Sequence, residues 1–248
     1  YGFSFSLQYK REKTDLTLGV AVNQYVPARH YGEVIWALYS VSTPVNHVYY
    51  QNTASKEDMN AYLKAIYRPT ARLSLYADLQ YRGILYTVEG MEPDSVILHI
   101  NERFNFLNPK TGITYSIPGK GTFYASYSIA NREPIRDDYL AAAHNEKPEH
   151  ETLYNLEAGY RRNTNRSSIS ANIFLMNYRN QLVLTGEINQ DGAFVRKNSG
   201  KSYRAGLELS GSMQAGTRFS LDGNLSLSRN KTDYKQLNGE GIMELYEN

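Results

Sequence analysis

GTFYASYSIANR, residues 121–132, decides the fold. Phe123, Ala125, Tyr127 and Ile129 fall on one side of an extended chain, and Thr122, Ser126 and Ser128 on the other. Two-residue alternation of this kind sets one face against an apolar medium and the other against a wet one. ETLYNLEAGYRR, residues 151–162, repeats the pattern with Tyr154, Leu156, Ala158 and Tyr160 aligned. The intervening EPIRDDYLAAAHNEKPEH is polar and has little apolar period. NTNR, residues 163–166, then turns the chain tightly into SSISANIFLMNYRNQLVLTG, residues 167–186. The unit is strand, long loop, strand, short turn, strand.

The rest of the chain repeats this unit. Phe3, Phe5, Leu7 and Tyr9 alternate with Ser4, Ser6, Gln8 and Lys10, and REKTD leads to Leu16, Leu18, Val20 and Val22 on one face. In ARLSLYADLQYRGILYTVEG, Leu73, Leu75, Ala77, Leu79 and Tyr81 oppose Arg72, Ser74, Asp78, Gln80 and Arg82. FNFLNPKTGITYSI reads as a strand interrupted near Pro109. YRAGLELSGSMQ and RFSLDGNLSLSRN close the series, and the residues after them read as the start of a loop.

Connections alternate in length. REKTD, RPTA, PGKG, NTNR and AGT are short. Asn23–Asp58, Gly90–Arg103, Arg132–Glu151 and Glu187–Lys201 are long and read as irregular, with at most a short strand over Glu33–Ser40 in the first. The alternating segments run to about ten residues, beyond the ~5–6 usual in soluble sheets and matching the ~9–11 that cross a bilayer as tilted β-strands. Outer-membrane barrels keep short turns at one end and long loops at the other. The predicted fold is therefore all-β: an antiparallel transmembrane β-barrel of ten or eleven readable strands, with lipid outside and a polar lumen. The rival readings are a soluble β-rich binding or adhesion module, whose apolar faces would pack on each other, and a passive porin.

Composition narrows the function. Twenty-seven basic residues face 25 acidic ones, a net charge of +2, which is no nucleic-acid footprint. Cysteine is absent, so disulfide scaffolds and thiolate metal sites are excluded. The 22 tyrosines against 8 Phe and 1 Trp suit strands and membrane interfaces alike. No triad or carboxylate pair points to an enzyme, and no cofactor or metal is called for. His30, His47, His99, His144 and His150 lie in or beside the long loops; His144 and His150 with Glu146, Glu149 and Glu151 lack the fixed spacing of a metal site. PGKG lacks the remaining spacing of a phosphate loop and reads as a turn. Arg132, Glu133, Arg136, Asp137 and Asp138 form a dense charged run at one loop base, expected to lock the loop by ion pairs. Arg29, Tyr31 and Trp36 in the aromatic first loop are the predicted ligand contacts.

GEVIWALYS, YYQNTASKEDMNAYLKAIY, LYADLQYR, YASYSIANREPIRDDY, PEHETLYNLEAGYRRN, NYRNQLVLTGEIN and SYRAGLELSG together resemble the barrel region of TonB-dependent outer-membrane receptors, particularly those of Bacteroidetes-type bacteria. The resemblance implies a piece, residues 1–248, of a 22-stranded barrel domain, about half of it, without the plug, the early strands and the closing strand. It implies the Gram-negative outer membrane, contact with lipid, TonB coupling through an N-terminal plug region, and import of a scarce nutrient. Ferric siderophore is the expected cargo, with cobalamin, haem or a glycan as alternatives.

Overall fold

The computed structural model describes residues 1–36, 38, 44–92, 96–142, 147–188, 194–237 and 243–247. The strands are β1 (Gly2–Arg11), β2 (Thr14–Glu33), β3 (Val48–Tyr67), β4 (Leu73–Met91), β5 (Ile97–Ile117) and β6 (Gly121–Arg132). Helix α1 (Arg136–Ala142) follows, then β7 (Glu151–Asn163), β8 (Ser167–Arg179), β9 (Leu182–Ile188), β10 (Phe194–Asn198), β11 (Lys201–Ala215), β12 (Phe219–Leu237) and β13 (Met243–Glu247). Eleven strands form one antiparallel sheet in chain order, from which β9 and β10 stand aside as their own hairpin.

Register defines the two faces, because directly paired residues share one. Leu7 pairs Leu18, Leu18 pairs Leu63, and Leu63 pairs Leu79. These four leucines are 58, 47, 51 and 49% exposed, a continuous apolar row that water would not tolerate and lipid does. On the other face Thr17, Lys64, Asp78, Lys110, Ser128 and Asn155 make an equally continuous polar row. From Leu73 to Tyr81 the apolar face of β4 covers about 20–25 Å along a tilted strand, the height of a hydrocarbon band. The sheet is part of a transmembrane β-barrel, with the polar row lining its inside.

The turns obey local chemistry. Pro118 and Gly119, the latter at φ 73°, occupy the centre of a turn closed by the Lys120 N–H on the Ile117 carbonyl at 3.0 Å. Thr164 Oγ1 accepts the N–H groups of Arg166 and Ser167, at 3.3 and 2.9 Å, and so shapes the NTNR turn.

The long connections are shorter than the sequence implied. β2 runs on to Glu33 and β3 begins at Val48, because a bulge between Tyr25 and Ala28 absorbs Pro27. β4 and β5 likewise extend to Met91 and from Ile97. Pro109 does not interrupt β5. It pairs Leu79, and the ladder to β6 ends at the next residue, Lys110. Beyond it Asn131 bridges the parting strands, donating its backbone N–H and its Nδ2 to Asn108 Oδ1 at 3.0 and 2.8 Å.

Four further expectations give way. Residues 167–186 are two strands, since Asn180 at φ 55° turns the chain out of the sheet and into the β9–β10 hairpin, which fills the expected loop at Glu187–Lys201. Arg132–Glu151 contains α1. The chain after Asn230 continues β12 and adds β13, where a loop was expected. Of the short strand expected at Glu33–Ser40 only Glu33 is strand, as the last residue of β2; residues 34–36 and 38 are not strand, and residues 37 and 39–40 lie outside the described residues.

Candidate functional site

The loop-ward ends of β4 and β5 keep the two-residue period but exchange its polarity. On β4 the inner-face series Asp78, Gln80, Arg82 continues as Ile84, Tyr86 and Val88, and Ile84 and Val88 are 2% and 0% exposed. Ala54, Leu98 and Ile100 join Val88 in the one buried apolar cluster among the described residues, closed over by Tyr139 with Leu140 of α1. The segment after β6 therefore folds back onto the inner face of the wall and takes the place that water holds lower down.

Charge fastens that segment. Arg82 spreads its fork between two carboxylates: Nη2 donates to Asp58 Oδ2 at 2.6 Å, and Nη1 to Glu133 Oε2 at 3.0 Å. Lys56 Nζ reaches Glu133 Oε1 at 2.7 Å. Two cations and two anions from β3, β4 and the inbound segment thus neutralise one another, with Glu133 buried. Burial alone pushes the Glu133 carboxyl up, but the Lys56 hydrogen bond and the charges of Lys56 and Arg82 outweigh it and hold it below the usual carboxylate value.

The remaining charged run spreads outward. Arg136 pairs with the buried Glu92. Asp138 Oδ2 accepts the Ile135 N–H at 2.8 Å, the reach-back of a capping box that starts α1. Its other oxygen lies 3.9 Å from Arg196 on β10, tying the helix to the hairpin. Burial raises the Asp138 carboxyl, opposed by that N–H and by Arg196. Arg132 pairs with Glu151 at 2.9 Å and Lys147 with Glu102 at 2.5 Å. Asp137 stands in the first turn of α1, where a negative side chain suits the free N–H groups.

The predicted ligand contacts lie elsewhere. The bulge in β2 puts Arg29 opposite Thr53 and Tyr31 opposite Gln51, on the face turned away from α1. Arg29 stacks on the Tyr31 ring at 4.8 Å and donates to Gln51 Oε1 at 2.6 Å. Trp36 lies past the end of β2, 73% exposed. The structure thus brings Arg29 and Tyr31 together at the rim.

Of the histidines, His30 bonds the Tyr25 hydroxyl at 3.1 Å and His150 packs against Phe106 at 5.3 Å. His144 and Glu146 lie outside the described residues, while Glu149 and Glu151 are occupied by Asn180 and Arg132. Among the described residues no cluster of three such side chains is placed to hold a metal ion. An apolar groove of about 450 Å³ beside Ala65, Ala77 and Ala125 opens on the lipid-facing side, away from any nutrient path.

Sequence reading missed Lys56 as a partner of Glu133 and Asp58 as a partner of Arg82. Their signal was positional: both sit on the inner face at the level where the polarity of β4 inverts.

These features define a class, the wall of an outer-membrane-type β-barrel with a loop segment packed inside it. The family described as TonB dependent receptor-like, beta-barrel, matches residues 1–243, and the chain belongs to that family. Solved structures agree in fold. The copper transporter OprC superposes with a TM-score of 0.73 at 15% identity, over 93% of this chain and 36% of its own. The FrpB iron transporter from Neisseria meningitidis (F3-3 variant) gives 0.64 at 16%, over 93% and 35%. The ferric-catecholate import receptor Fiu from E. coli K12 gives 0.65 at 14%, over 98% and 39%. This chain spans little more than a third of the length of those proteins. A comparison with curated proteins returned no match.

Proposed function

We infer that the chain is the wall and loop platform of an outer-membrane receptor that captures a scarce nutrient and imports it by TonB-coupled transport. The observation that supports this best is the segment Glu133–Ala142, packed on the inner face and fastened to Arg82 and Lys56. Such a segment narrows the lumen where a passive porin would leave it open. Ferric siderophore is the proposed cargo: solved relatives include FrpB, described as an iron transporter, and Fiu, described as a ferric-catecholate import receptor. Arg29, Tyr31 and Trp36 at the rim are the proposed first contacts. Energy coupling is proposed to run through TonB and a plug region that these residues do not include.

The test uses the full-length receptor in a Gram-negative host lacking its own siderophore receptors. Iron-limited growth and uptake of radiolabelled iron-siderophore should depend on the receptor and vanish when TonB is deleted. Uptake unchanged by TonB deletion, with large ion conductance in planar bilayers, would establish the porin reading instead. Growth that the receptor never rescues on any siderophore offered would remove iron as the cargo.

A further inference from the structure

The two ends of the sheet are charged differently. At the loop end acids and bases pair with one another, as Lys56 with Glu133 and Lys147 with Glu102. At the turn end the balance is lost. Lys13, Arg72, Lys120, Arg166 and Arg218 place a base in each of the five short turns as the strands bound them, residues 12–13, 68–72, 118–120, 164–166 and 216–218, and all five side chains are exposed. The only acid in those turns is Glu12. Asp15, just inside β2, is neutralised by Arg68 at 2.8 Å. None of the five turn bases makes an ion pair among the described residues.

Depth gives this excess a meaning. Tyr9, Tyr67, Tyr115, Phe123 and Phe219 lie at the turn-ward ends of their strands on the apolar face, each between 42 and 74% exposed. Outward aromatics at this level mark the interface between hydrocarbon and headgroups. The bases follow within a few residues, at the depth of lipid phosphates. Two more bases face lipid itself: Arg11 pairs with Thr14 and Arg162 with Ile169, both on the apolar face. A surface meant for an acidic protein would not need bases turned to the lipid side.

We propose that the turn end is a headgroup collar that selects anionic phospholipid over zwitterionic lipid in the leaflet it touches. Guanidinium groups take phosphate oxygens in pairs, and ammonium groups add point charge. The attraction extends about a Debye length, so it weakens with salt.

The test uses the full-length receptor in nanodiscs of phosphatidylethanolamine and phosphatidylglycerol, extracted gently for native mass spectrometry of retained lipid. Wild type should retain phosphatidylglycerol over phosphatidylethanolamine by about fivefold or more at low salt, falling toward parity at high salt. The variant Lys13→Gln, Lys120→Gln, Arg162→Gln, Arg166→Gln should lose the preference while keeping its heat-modifiable gel migration. A loop-end control, Arg103→Gln with Arg179→Gln, should keep it. Equal retention in wild type and the turn variant would overturn the proposal. So would loss of the preference on adding millimolar inorganic phosphate, which would make the site one for free anions. Turn-dependent capture of an acidic peptide without lipid preference would assign the collar to a protein partner and equally overturn it. None of these readouts involves iron uptake, so they stand apart from the transport reading.

Discussion

β4 is one strand with two environments. From Leu73 to Tyr81 its outward residues are apolar and its inward ones polar; from Ile84 to Met91 the inward residues are apolar and the outward Thr87 and Glu89 polar. The backbone geometry, the pleat and the pairing to β3 and β5 continue unbroken through the change. What changes is the medium. Lipid covers the outside of the lower half, and the 133–142 segment covers the inside of the upper half. Alternation therefore reports which face is dry, and a second observation must say what dries it.

The sharpest way to break this comparison is to put the same charge on the same outward face in each half. Leu79→Arg should destabilise the full-length barrel by about 2–4 kcal/mol in bilayers, since it meets hydrocarbon. Glu89→Arg, 80% exposed at its side chain, should fall within about 0.5 kcal/mol of wild type. Denaturant unfolding in phospholipid vesicles measures both. Equal costs would mean that the two halves share one medium.

That difference also governs how legible the chain was. In the lower half lipid and water impose a clean contrast, and the strands could be read residue by residue. In the upper half Ile84, Leu85, Tyr86 and Val88 are apolar on both sides of the chain, so β4 still read as a strand to Gly90 but its dry face could not be told, and the matching ends of β2, β3 and β5 looked like loop. Helix α1 has seven residues, too few for a 3.6-residue period, and only Asp137 and Asp138 in its first turn hinted at it. The charged run from Arg132 to Asp138 was visible as a cluster. Its main partner was not: Lys56 lies 77 residues from Glu133, and the two meet only because the segment after β6 folds back onto the inner face of β3 and β4. Pro27 and Pro109 misled for the same reason, each seated where a ladder bulges or parts.

Next in size is the fastening between the halves. Arg82→Met leaves Asp58 and Glu133 facing each other without their shared cation and should cost about 2 kcal/mol of local stability. The loss should show as faster hydrogen exchange over 133–142, with the lower strands unchanged. Uniform loss of protection along β4 would mean that Arg82 supports the wall rather than the inbound segment. At the turn end, Gly119→Ala should cost about 1 kcal/mol through backbone alone: φ is 73°, and a Cβ there meets nothing within 4 Å. Slower refolding into vesicles without change in hydrogen exchange at 133–142 would keep the two ends independent.

The smallest effect should come from pH, because two buried carboxylates of the upper half act in opposite directions. Glu133 ionises more readily in the folded protein than in the unfolded chain, so its contribution is present at neutral pH and is lost as pH falls through its depressed folded value. Asp138 is raised by burial, so its charge costs stability at neutral pH, and that cost is relieved as pH falls through its raised folded value. On acidification the 133–142 segment should therefore first tighten slightly as Asp138 takes a proton, then loosen as Glu133 does. Hydrogen exchange, corrected for its intrinsic pH dependence, reads the sequence. Asp138→Asn should abolish the first phase and leave the second, and Glu133→Gln the reverse. A single monotonic loosening in wild type would mean that Asp138 pays nothing for its burial, and that its bonds to the Ile135 N–H and toward Arg196 are enough to hold its charge inside the wall.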